Sequence, residues 1–142
     1  MSRDNSIDID SEYSELIREL SELAHIHVSL TKRLKRVVRE LNKPDEDLER
    51  LEILLNKMRI LRSRLAQLIS LIEKRSLYYQ EKNKDLTEPF LIIRFFEMSG
   101  LIEEERIFKI IIRKKPSIEN YVKRDLEEID SLKKKINRIT LL

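Results

Sequence analysis

From Asp45 to Gln80 the chain reads DEDLERLEILLNKMRILRSRLAQLISLIEKRSLYYQ. Leu48, Leu51, Leu55, Met58, Leu65, Ile69, Ile72 and Tyr79 recur there at the three- and four-residue spacing of an apolar seam on a long amphipathic helix. Leu54, Leu61 and Leu68 run beside the seam and widen it, so one helix can meet neighbours on two sides. The stretch predicts a long central helix, 45–80. Arg62 interrupts the seam between Met58 and Leu65, with Arg59 and Arg64 close by. A charge that faces a core needs a partner, so Arg62 either pairs in a buried or interface contact or snorkels to the surface.

Upstream, residues 1–9 read as a disordered start, and Asp10 or Ser11 as the cap of a helix. Its apolar line is Leu16, Leu20, Leu23, His27, Leu30, Leu34, Val37, Leu41. The β-branched and hydroxyl residues from His25 to Thr31 suggest a kink, with Ser29 or Thr31 capping a second helix. Asn42 to Asp45 reads as a stop and restart, because Pro44 disfavours helix at Lys43 and Asp45 can cap.

Downstream, the central helix is expected to fray after Tyr79 into a polar loop through Asp85. Thr87 then caps a short, very apolar helix that Gly100 closes. Phe108, Ile110 and Ile112 alternate as in a strand, yet Glu103–Glu105 opens that segment and Arg113–Lys115 closes it, the charge order of a helix. No second strand is available as a partner, so a helix is expected. After Pro116, Val122, Leu126, Ile129, Leu132, Ile136 and Ile139 define a last amphipathic helix. The expected fold is an all-α helical bundle of about five to six helices, 10–115, with the C-terminal helix, 116–142, packed on it or on a partner.

The composition agrees. Ile and Leu supply 41 of 142 residues, only one residue is Gly, and 39% are charged, so the core is aliphatic and the helix faces are solvated. With no cysteine, disulfides and thiolate metal sites are excluded. The apolar runs are too short to cross a bilayer, and the polar, acidic first ten residues do not read as a signal peptide. A soluble, cytoplasmic protein with no membrane partner is expected. Two Gln, no Cys and abundant Ile, Lys, Arg and Glu would suit a thermophile. Residues 1–30 hold seven acids against two bases, and residues 31–80 thirteen bases against seven acids, a division that suits charge-guided assembly or nucleic-acid binding.

Motifs for catalysis are absent. His25 and His27 fall on different helix faces, and His27 on the seam is expected to be a satisfied core or interface residue rather than a ligand. A lone glycine allows no phosphate-binding loop, and Glu103–Glu105 are accounted for as an N-terminal acidic turn. No cofactor, metal or catalytic residue is expected. Lys32, Arg33, Lys35, Arg36 and Arg39 form a basic cluster, of which Lys32, Arg36 and Arg39 share one face that could follow a phosphate backbone.

Leu48-Glu-Arg50, then Leu61-Arg-Ser-Arg-Leu65, then Ile72-Glu-Lys74, with Asp85-Leu-Thr-Glu88 opening the next helix, resembles the helical domain of GINS replication-factor subunits over about residues 46–100. The W/E-rich, Pro-containing stretch of that family's first helix is missing from Leu23–Leu34, and nothing after Pro116 reads as its small β domain. The resemblance therefore implies a helical-domain-only or diverged subunit. It further implies a non-enzymatic scaffold that links the MCM helicase with a RecJ-like partner.

Two functional expectations follow. The first is a scaffold acting through protein partners in a homo- or hetero-oligomer, with Leu54, Leu61, Arg62, Leu68, Ile129, Leu132 and Ile136 at the interface. The second is a small basic regulator, viral or plasmid-encoded, that binds nucleic acid or RNA polymerase through Lys32–Arg39 and Lys133–Lys135.

Overall fold

A computed structural model describes residues 5–41 and 46–140. Its elements are α1 (Asn5–Arg39), α2 (Glu46–Glu81), α3 (Thr87–Phe95), a π-helical segment (Phe96–Leu101), α4 (Ile102–Lys114), a 3-10 turn (Pro116–Ile118) and α5 (Glu119–Thr140). All of them are helical, as the composition predicts.

α1 starts before the expected cap. Residues 5–9 already belong to it, Asp8 lies in its first turn and Ile9 is buried; residues 1–4 lie outside the described residues. No kink or restart interrupts it at His25–Thr31. The Thr31 hydroxyl donates to the His27 carbonyl at 2.7 Å, so it is satisfied inside the helix instead of capping a new one. The expected restart at Asn42–Asp45 lies outside the described residues.

α2 does not fray at Tyr79. It runs to Glu81 and closes on Asn83, whose φ of 60° is left-handed, a conformation asparagine tolerates. The Lys84 N–H bonds the Tyr79 carbonyl at 2.8 Å and the Asn83 N–H bonds that of Gln80 at 3.0 Å. That pairing is a Schellman motif with Asn83 at its left-handed position. At the start of α3 the side-chain contact comes from Asp85, which accepts from the Thr87 N–H at 2.9 Å, so Thr87 is not the cap.

Gly100 does not end a helix. It sits inside the π-helical segment, and α3, that segment and α4 make one unbroken rod. The segment 102–114 is helix rather than strand, and it buries Glu104, Ile107, Phe108 and Ile111, a helical period. The expected five to six helices thus resolve into four rods. α1 packs against α2 and against the third rod, and α5 does the same from the opposite corner. Among the described residues α2 has no backbone neighbour in the third rod, so it occupies a corner and not the centre. Leu34, Leu55, Leu65, Ile93, Phe108, Ile129 and Ile136 fill the space between the rods.

Candidate functional site

Each rod contributes one buried polar side chain to a shared layer, and α1 buries Thr31 beside it. His27 of α1 and Arg62 of α2 are 1% exposed, and Glu104 of α4 and Asp125 of α5 are fully buried. Arg62 reaches across the diagonal of the bundle and donates to Glu104 with one nitrogen and to Asp125 with another. Its Nε donates to Glu128 at 3.3 Å. The other Glu104 oxygen accepts from His27 Nε2 at 2.8 Å. Arg59 grips Asp125 with two parallel bonds of 2.8 and 2.9 Å, the strong fork geometry of guanidinium and carboxylate. Those bonds raise the Arg59 pKa above its ordinary value.

The Arg62 guanidinium also sits 5.9 Å from the centre of the Phe108 ring, and Phe96 lies against His27 at 4.8 Å. Two guanidinium groups therefore face two buried carboxylates inside a shell of apolar rings. Every polar atom is engaged, which is the condition under which a buried network specifies one packing. The layer ties the rods together, and a cavity of about 320 Å³ opens beside it, lined in part by Arg59, Arg62 and Glu128. Among the described residues no group of three or more His, Cys, Asp and Glu is placed to hold a metal ion.

The sequence reading took Glu104 only as part of an N-terminal acidic turn and did not single out Asp125, although the phase of both is visible. Leu101, Glu104, Phe108 and Ile111 step by three and four, and so do Val122, Asp125 and Ile129. The seam of α5 runs through Asp125 rather than through Leu126, which is only half-buried.

The expected interface positions lie elsewhere than expected. Leu54, Leu61, Arg62, Leu68, Ile129, Leu132 and Ile136 are all buried within the chain's own core, because α1 and α5 flank α2 and consume its wide seam. Ile26, Ile53, Ile60 and Leu77 of α1 and α2 face outward, and so does a series on the third rod: Leu91, Phe95, Met98 and Ile102 are 64, 57, 67 and 42% exposed. They follow one another at intervals of four, three and four along a rod whose middle, Phe96–Leu101, is π-helical, and their exposure shows that they share its outer side. The strong apolar content of this segment was legible, but not which of its faces looks outward.

The basic cluster is on the surface. Lys32, Arg33, Arg36 and Arg39 are exposed and hold no ion pair among the described residues, whereas Lys35 pairs with Glu103 at 2.7 Å. That contact lowers the Glu103 pKa. Lys114 donates to the Val38 carbonyl at 3.1 Å, which brings the basic end of α4 beside that of α1. Lys133–Lys135 do not act together: they go to Glu105, Asp130 and the Ser70 hydroxyl. Lys133 depresses the Glu105 pKa, with Lys109 adding to the effect.

No protein-family model, curated protein or solved structure matches the chain.

Proposed function

We propose that the chain is a non-enzymatic helical scaffold that acts through protein partners, in the manner of a GINS subunit linking helicase components in DNA replication. The observation that carries the reading is the ridge of Leu91, Phe95, Met98 and Ile102. Four large apolar side chains in a row are costly to leave in water, and such patches mark interaction surfaces. The buried charges support it, since they are committed to one another and none is left for chemistry. The link to replication is supported by the resemblance of residues 46–100, in which Leu61-Arg-Ser-Arg-Leu65 contains the residue that ties the rods. A cytoplasmic location belongs to the same reading; among the described residues no helix is long and apolar enough to cross a membrane. Size-exclusion chromatography of the chain with purified MCM helicase and RecJ-like protein from the same source tests the role. Co-elution is expected, and separate elution from both would reject a GINS-like function.

The unpaired Lys32, Arg33, Arg36 and Arg39 favour a second reading, a regulator that binds nucleic acid or a nucleic-acid polymerase. Duplex binding through them is expected to weaken with salt, log affinity falling by about 0.9 per phosphate contact for each unit of log salt. Gel shifts at two salt concentrations check this, and no shift at the lower one removes the reading.

A further inference from the structure

The ridge of the third rod extends beyond its apolar part. Glu88, Leu91, Phe95, Met98, Ile102 and Arg106 follow one another at three- and four-residue spacing, and all six are exposed. Glu88 has no ion pair among the described residues, and Arg106 has only a long one to Glu103, at 3.6 Å. The line therefore has an acid at one end, four apolar side chains in the middle and a cation at the other end. Neither α1 nor α5 covers it, because both pack on the inner flanks where Ile93, Phe96, Leu101 and Phe108 are buried.

We infer that this ridge is covered by a second copy of the chain, packed antiparallel about a two-fold axis. The order of residues supplies the argument. Phe95 with Met98 and Leu91 with Ile102 are both centred between Phe96 and Glu97, and Glu88 with Arg106 is centred on Glu97. A two-fold axis at that point sets Phe95 and Met98 against the same pair of the second copy, and each Leu91 against an Ile102. It also brings each Glu88 beside an Arg106. A surface that complements itself in this way is what an isologous dimer needs. Parallel pairing would instead oppose like charges at both ends. A phosphate backbone offers nothing to the four apolar side chains.

The apolar part is at most about 16 Å long, the α-helical rise of 1.5 Å per residue being its upper bound across the π-helical segment, so the contact is smaller than a standard stable interface. The dimer should therefore dissociate on dilution. This inference rests on the reading of the chain as an interaction module, and it names a second copy as the partner at the ridge.

Sedimentation equilibrium of the full chain from about 1 μM to about 1 mM tests it directly. The expected result is a concentration-dependent rise from monomer to dimer mass. Met98→Glu should raise the dissociation constant by at least about tenfold, because it places two carboxylates at the centre of an apolar contact. Glu88→Arg and Arg106→Glu should each weaken the dimer, and their combination should recover wild-type affinity to within about threefold. Circular dichroism confirms that each variant is folded, which is expected because none of the altered side chains is buried. A monomer at every concentration overturns the inference, as does a dimer indifferent to Met98→Glu or a charge swap without recovery. A monomer that nevertheless co-elutes with the helicase would overturn the dimer while leaving the scaffold reading intact.

Discussion

Removing the Arg62 side chain would leave the fully buried Glu104 with only its His27 bond, while Asp125 would keep its fork with Arg59. Arg62→Ala is therefore expected to cost about 3–5 kcal/mol of folding stability, the usual result of leaving a buried charge without its partner. Arg62→Leu should fall in the same range. Leucine suits the seam, but neither acid can turn to water. Urea denaturation of the two variants checks both values, and losses near 0.5 kcal/mol, typical of surface positions, would show that the tie contributes little. Arg62 was legible in the sequence because it is the one charge on a seam otherwise interrupted only by Ser76. Glu104 and Asp125 were not, for two physical reasons. An acid in the first turn of a helix is already explained by the macrodipole, and Asp125 stands next to a leucine, the more hydrophobic of the two. The half-buried Leu126 shows that phase, and not hydrophobicity, decided which side chain faces inward.

The long helices were readable from periodicity alone, since α1 and α2 keep their apolar spacing over 35 and 36 residues. The joints were less readable. Glycine near the end of an apolar segment signals a C-cap, yet Gly100 serves a close approach. A Cβ there would lie 3.0 Å from His27 Nδ1 and 3.3 Å from a carbon of the Phe96 ring. His27 cannot give way easily, because Glu104 holds its other nitrogen. Gly100→Ala is thus expected to destabilise by about 1–3 kcal/mol through overpacking. Helix propensity alone would make the same change stabilising by about 0.5–1 kcal/mol, so the sign discriminates. Thermal melts settle it, and a higher melting temperature would mean that the π-helical segment has slack. A similar tie lies behind the unkinked α1: the Thr31 hydroxyl reads as a break in sequence, but back-bonding to His27 absorbs it.

At the scale of the whole molecule, the two ends of the bundle are closed by different devices. At one end Tyr79 of α2 donates to Glu12 of α1 at 2.8 Å, and burial, reinforced by that bond, pushes the Tyr79 pKa up to about 12. An ordinary tyrosine titrates near 10. The folded state therefore keeps a proton that the unfolded chain has lost, and the hydroxyl's stabilisation is full below about pH 10 and gone by about pH 12. The stability difference between wild type and Tyr79→Phe should shrink across that window. A difference that stays constant from pH 9 to 12 would reject the linkage. At the other end the basic tips of α1 and α4 adjoin through Lys114. The first third of the sequence announced this separation of charge, but only the fold shows that two distant basic segments share one end. The surface ridge of Leu91 to Ile102 was hidden for a related reason. Periodicity tells which residues share a face, and only the positions of α1 and α5 decide which face is left over.

The Arg62 tie also has a consequence in time. The chain is made from its N-terminus, and Arg62 precedes Glu104 by 42 residues and Asp125 by 63. When α1 and α2 have emerged, their shared seam already contains the cation but neither of its counter-charges. Closing that hairpin into a dry contact would strand the guanidinium, so the early chain has reason to stay open there. Each acid arrives on a different rod, and the last of them comes only with α5. Synthesis thus delivers one counter-charge with the third rod and completes the set only with the final helix.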